Sequence, residues 1–169
     1  MDRLSSSAVK MTNREFFRMR EENALRRIPG VRELQRATPE QRGAVEIKYP
    51  DAIFALQIIS NPFVNDREVG AIRMDAYAAI LDGEAIADVR YKYDRQMRMM
   101  ALILDYDRLC RDAISKGADL QALYEIPAKE KIGRAKYIES DRYANVYADI
   151  GKEMEAQIAA VVEKAGADV

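Results

Sequence analysis

The residue types that usually carry chemistry are sparse in this chain. None of its 169 residues is a histidine, which removes the commonest general base and the commonest metal ligand together. A single cysteine, Cys110, excludes an intramolecular disulfide. With no histidine beside it, neither a Cys-rich zinc site nor a nucleophile–His triad can be assembled within one chain. The carboxylate pairs Asp105 with Asp107 and Glu153 with Glu155 are two residues apart, and such residues do not face each other on a helix. A dimetal carboxylate bundle needs Glu-x-x-His, which cannot occur here. No GxxxxGK[ST] or GxGxxG run offers a phosphate cradle. The expectation is a chain with no catalytic residue, no metal and no cofactor, and therefore not an enzyme. An enzyme working with Tyr, Lys and carboxylates alone would need a concave pocket lined by Tyr77, Tyr91 or Tyr93 with a converging Lys, Arg or Glu.

What remains are residues suited to contact. Residues 1–42 carry ten Lys or Arg against six Asp or Glu, although the whole chain has a net charge of −1. Arg14, Arg18, Arg26 and Arg27 could meet phosphates or an acidic partner, yet Glu15, Glu21, Glu22 and Glu33 are interleaved among the basic residues. A helix that reads DNA usually lacks such neutralisation, so nucleic acid is the less favoured partner. The second group lies between Glu84 and Lys116, a stretch without Gly or Pro. There Ile86, Val89, Tyr93, Gln96, Met100, Ile103, Asp107, Cys110 and Ile114 recur at spacings of three and four, which sets one stripe along a helix. Gln96 and Asp107 interrupt that stripe, and a polar residue in an apolar seam can fix register or partner. The plainer reading puts Asp107 at the edge of the stripe or in a pair with Arg111. Met97, Met99 and Met100 cluster within a turn and a half, as core filling more than as a binding groove. Cys110 reads as a small buried hydrophobe with a raised thiol pKa.

These residues need elements to position them. A chain of this length suits one domain burying about 70% of its unfolded surface. Charged residues at 33% and hydrophobic residues at 49% describe a folded, soluble protein. The longest apolar run, Met99 to Leu104, is far short of the roughly 18 residues a membrane span needs. The opening MDRLSSSAVK lacks the apolar core of a secretory signal. A cytoplasmic site and no membrane partner are expected, and no small-molecule substrate is evident.

Residues 1–11 read as an arm, and 12–169 as a single helical domain. Thr12 with Glu15 and Thr38 with Gln41 start helices by capping boxes, the second helped by Pro39. Val45, Ile47 and Tyr49 alternate with polar residues, so 44–49 could be a short strand; a helix or linker is preferred, because no second strand is visible to pair with it. Ala52 to Ile59 leaves almost no polar face and should be central. Asn65 with Glu68 starts a helix to Leu81, and Asp82-Gly83 turns the chain into the long helix. Gly117 caps that helix, Asp119 caps a short segment to Glu125, Pro127 begins a helix to Ile138, and Ser140 caps a last helix that Gly166 ends.

The run Gln96 to Tyr137 contains RQMRMMALIL, then Asp112-Ala113-Ile114-Ser115-Lys116-Gly117, Pro127, Glu130, Ile132-Gly133-Arg134 and Lys136-Tyr137-Ile138. It resembles the C-terminal helical domain of the catalytic A subunit of V/A-type rotary ATPases, over about a quarter of the chain. The resemblance implies a helical module without catalytic residues, facing a rotor stalk and lacking the nucleotide-binding domain. Arg134, within that run, joins Arg14, Arg18, Arg26, Arg27, Gln96, Met97, Met100 and Asp107 as a candidate interaction residue. The expected fold is an all-α bundle of five to seven helices around a long helix at 84–116, with a core of 52–59, 66–81, 84–116 and 141–164. The expected function is interaction or assembly, through a protein partner or self-association. A virion or mobile-element structural protein, or a host-directed inhibitor, would share this sequence character, as would a nucleic-acid binder using the basic N-terminal region.

Overall fold

The computed structural model describes residues 11–135 and 142–167. Every element among them is an α-helix: α1 (Asn13–Arg26), α2 (Val31–Arg36), α3 (Pro39–Lys48), α4 (Pro50–Ser60), α5 (Arg67–Leu81), α6 (Ile86–Ser115), α7 (Leu120–Tyr124), α8 (Pro127–Ala135) and α9 (Tyr143–Ala167). The fold is all-α around one long helix, as expected. The helices outnumber the five to seven expected because the short pieces α2, α3 and α7 each form hydrogen-bonded turns of their own. The alternation at 44–49 falls in α3 and at its C-cap, not in a strand. Its start settles the matter: Thr38 Oγ1 accepts from the Gln41 amide at 3.3 Å, and Gln41 Oε1 accepts from the Thr38 amide at 3.2 Å, with Pro39 at the first position.

Local chemistry also starts α1, where Thr12 and Glu15 exchange the same reciprocal bonds. At α5 the cap lies one residue later than expected. Asp66, not Asn65, is the N-cap, and its Oδ1 accepts from the amides of Glu68 at 3.0 Å and Val69 at 2.9 Å. The two residue types cap about equally well, so composition alone does not choose between neighbours. Gly30, Gly83 and Gly117 take positive φ as turns or C-caps require. Gly166 does not end α9, which continues to Ala167. Residues 1–10 of the arm expected at 1–11, the end of the helix expected to reach Ile138 and the Ser140 cap lie outside the described residues.

The chain forms two compact units, Met1–Tyr93 and Asp94–Val169. The division falls within α6, between Tyr93 and Asp94. In the first, Ala24, Phe54, Ala55, Ile58, Ala76, Tyr77, Ile80 and Val89 make one buried cluster, joining α1, α4, α5 and the first turns of α6. A smaller cluster gathers Val31, Leu34 and Ala52. The apolar α4 is central to both, with Ala52 and Ala55 fully buried and Ile58 nearly so. Burying a side chain such as Ile58 is worth roughly 1.5–3 kcal/mol. The core expected from 52–59, 66–81, 84–116 and 141–164 is therefore divided: α4 and α5 belong to the first unit and α9 to the second.

In the second unit the buried line along α6 is Leu102, Tyr106, Cys110 and Ala113. Of the expected stripe in this unit, Cys110 lies on this line, and Gln96, Met100, Ile103, Asp107 and Ile114 are out of phase with it. Ile103 and Ile114 are each 45% exposed, Asp107 is exposed, and Gln96 and Met100 are half-buried. Tyr106 decides the phase, because its ring is buried while its hydroxyl donates to the Leu123 carbonyl at 3.1 Å. An aromatic ring with a satisfied polar tip outweighs a branched aliphatic at the neighbouring position. No ion pair joins Asp107 to Arg111 among the described residues. α9 packs on α8, where Gln157 Oε1 accepts from the Ala128 amide at 2.9 Å and so serves as a cap borrowed from another helix. Lys131 Nζ meets both oxygens of Glu153 at 2.8 Å beside it.

A candidate interaction groove in the first unit

One face of α1 carries Arg14, Phe17, Arg18 and Glu21, spaced at i, i+3, i+4 and i+7 and hence aligned along one side of the helix. Opposite stand Met74 and Tyr77 of α5, with Pro62 and Phe63 from the segment linking α4 to α5. Together they line a groove of about 510 Å³, within the usual size range of binding clefts. Its apolar wall is open to solvent: Phe63 is 74% exposed, and Phe17 and Met74 also lie bare. Phe17 is braced edge-on by Phe16, with ring centroids 5.7 Å apart.

The two walls are tied at the floor. The Tyr77 hydroxyl donates to Glu21 Oε1 at 2.6 Å. Burial first, and then the hydrogen bond and negative charge of Glu21, push the Tyr77 phenol up to about 12. A second tie joins Arg20 of α1 to Asp82 after α5 at 3.1 Å. The linking segment is held as firmly. Arg73 Nε and Nη2 donate to the Asn61 carbonyl at 3.0 and 2.7 Å, Nη2 reaches the Gln57 carbonyl at 3.1 Å, and Nη1 reaches the Tyr93 hydroxyl at 3.3 Å. One guanidinium thus satisfies the last carbonyls of α4 and fixes the residue immediately before Pro62 and Phe63. At Gly70 a Cβ would stand 3.2 Å from the Val64 carbonyl oxygen, so the segment also lies close against α5.

Of the residues singled out in the sequence, Arg14 and Arg18 meet in this groove. Arg14 has no ion-pair partner among the described residues, and Arg18 has only Glu22 at 3.5 Å, with side chains 80% and 56% exposed. Such a pair contributes little. Arg26 lines a separate cleft of about 160 Å³ with Arg32, Gln35 and Glu22. Arg27 is exposed beside the Gly83 turn. In the second unit, Gln96, Met97, Met100 and Asp107 lie on α6, and Arg134 lies on α8, where it pairs with Glu130 one turn away. Within the first unit the candidates therefore divide, with Arg14 and Arg18 in the groove and Arg26 in the other cleft.

Tyr77 was expected as the lining of a pocket with a converging Arg or Glu, whereas Phe63 and Met74 went unread as groove residues, because their meeting with α1 is a tertiary event. The available signal was Phe63 itself, an aromatic directly after Asn61-Pro62 in an inter-helix segment. Among the described residues no group of three or more Cys, Asp or Glu could hold a metal ion, and no helix is long and apolar enough to cross a membrane. In the second unit, burial pushes the Cys110 thiol up, partly offset by the Tyr106 hydroxyl. Burial, then Cys110, likewise raises the Tyr106 phenol.

No protein-family model matches the chain, and no solved structure gives a significant match. The chain is similar to V-type ATP synthase alpha chains. With that of Acetivibrio thermocellus it shares 36% identity over 77 residues, 46% of this chain and 13% of that protein. With that of Clostridioides difficile it shares 35% over 74 residues, 44% of this chain and 12% of the relative. With that of Thermoanaerobacter sp. it shares 31% over 81 residues, 48% and 14% respectively. The resemblance read at 96–138 is therefore real and longer than it looked, reaching nearly half of the chain. The chain spans only about an eighth of the length of these relatives.

Proposed function

We propose that this chain is a non-enzymatic helical subunit that acts by protein–protein contact within a larger cytoplasmic complex. The observation that carries the reading is the groove between α1 and α5. Its floor is locked by Tyr77 and Glu21 while its rim leaves Phe17, Phe63 and Met74 bare. Bare aromatics and Met beside arginine are the residue types that dominate protein interfaces. The similarity to a segment of proteins named as one chain of an ATP synthase supports membership of an assembly. The other candidate residues, Gln96, Met97, Met100, Asp107 and Arg134, would serve as further contacts from the second unit.

The groove does place Tyr77 beside Arg14, Arg18 and Glu21, the kind of convergence a His-free enzyme would need. The chemistry disfavours that use. A phenol pushed up to about 12 and already donating to a carboxylate is a poor acid and no base near neutral pH. Nucleic acid is disfavoured too, since Arg20 and Arg42 each direct charge at a carboxylate of the same unit and Glu15, Glu21, Glu22 and Glu33 are interleaved among the basic residues. Size-exclusion chromatography with light scattering tests the assembly reading. A stable complex well above the 19.2 kDa chain mass is expected, and a clean monomer that retains no partner would sink it.

A further inference from the structure

Resting on that assembly reading, we infer that the α1–α5 groove docks an acidic amphipathic helix of a partner protein. The apolar part of the groove is built from Phe17, Phe63 and Met74 above the Tyr77 floor. Arg14 and Arg18 stand along one wall four residues apart, about 6 Å along the axis of α1. Carboxylates one turn apart on an incoming helix match that spacing, while its apolar side chains enter between Phe63 and Met74. This is recognition of a helix in a groove, with aromatic and Met anchors for affinity and arginines for register.

The groove's own Glu21 keeps its negative charge, but its Oε1 accepts from the Tyr77 hydroxyl at 2.6 Å at the floor, and it forms no ion pair with Arg14 or Arg18 among the described residues. Arg14 has no ion-pair partner among the described residues, and Arg18 holds Glu22 only at 3.5 Å. The chain's first ten residues carry Arg3 and Lys10 against Asp2. They repeat the sign of the groove instead of opposing it and are the wrong occupant. Arg73 fixes the Asn61 carbonyl and Gly70 lets the Val64 backbone lie close against α5, so the backbone on both sides of Phe63 is positioned without an occupant and binding need not order it.

The test uses the full chain and two fluorescent synthetic helices. Each carries Leu at i, i+3 and i+7; one has Glu and the other Lys at the positions that would face Arg14 and Arg18. Anisotropy titration should show the Glu helix bound and the Lys helix bound at least about tenfold more weakly. The double change R14E/R18E should reverse that preference, Arg14→Gln with Arg18→Gln should erase it, and Phe63→Ala should weaken both helices. Circular dichroism on each variant confirms that the helices are intact. Equal binding of the two helices, no binding of either, or indifference to the arginine changes would overturn the inference. So would loss of Glu-helix binding when the chain self-associates, since a second copy would then be the occupant. The assembly reading fails separately: a chain that enters a stable complex yet ignores both helices refutes the groove alone.

Discussion

The tie between Tyr77 and Glu21 holds the two walls of the groove, and its strength can be worked from the structure. Folding pushes the phenol from 10.0 up to about 12, which favours its protonated form over the ionised one. Burial is the leading cause of that shift and the hydrogen bond to Glu21 the second; a hydrogen bond of this kind contributes about 1–2 kcal/mol. Tyr77→Phe and Glu21→Gln should each lower stability by about 1–2 kcal/mol. In a double-mutant cycle by urea denaturation, the two should couple by about 1 kcal/mol. The pH dependence has a definite sign. A pKa raised by folding gives stability that is fully present below the unfolded value of 10.0 and declines as pH rises through about 12. Tyr77→Phe should therefore flatten the alkaline decline relative to the parent, with Tyr106→Phe as the reference for the second raised phenol. A coupling below about 0.3 kcal/mol, or an unchanged decline in Tyr77→Phe, would refute the tie.

Three further outcomes follow from the same geometry. Arg73→Met strips donors from the Gln57 and Asn61 carbonyls and should cost about 2 kcal/mol in thermal or urea denaturation; Arg73→Lys should recover less than half, because an ammonium cannot reproduce the fork. Gln157→Leu leaves the Ala128 amide without its acceptor and should cost about 1–2 kcal/mol, with hydrogen exchange at Ala128 accelerated before that of α9. Cys110 should resist alkylation in the native chain, at a rate set by opening of the fold, and should react at the ordinary thiol rate in urea.

What could be read in the residues was what neighbours in sequence decide. The boxes at Thr12–Glu15 and Thr38–Gln41 close within one turn, and the apolar run at 52–59 can only be central, so each was legible. Two effects hid the rest. Adjacent residues of equal capping strength, Asn65 and Asp66, are separated only by the path of the chain into α5. On α6 two apolar lines run side by side, and the buried one was chosen by Tyr106 reaching a carbonyl seventeen residues away. The groove shows the same division. Arg14 and Arg18 were visible as basic residues of the first helix and Tyr77 as a possible pocket residue, whereas Phe63 and Met74 arrive from α5 and the segment before it, whose backbone Arg73 and Gly70 position at Asn61 and Val64. The reading of 12–169 as a single domain leads to one cooperative transition in calorimetry, and two separated transitions would show that the units at Met1–Tyr93 and Asp94–Val169 fold independently.

The central claim is membership of an assembly, and native mass spectrometry of the chain purified from its own cells at endogenous level tests it most directly. The expected spectrum holds a complex in which the 19.2 kDa chain is present in fixed stoichiometry with at least one other protein. A spectrum containing only the free chain at that mass would contradict it.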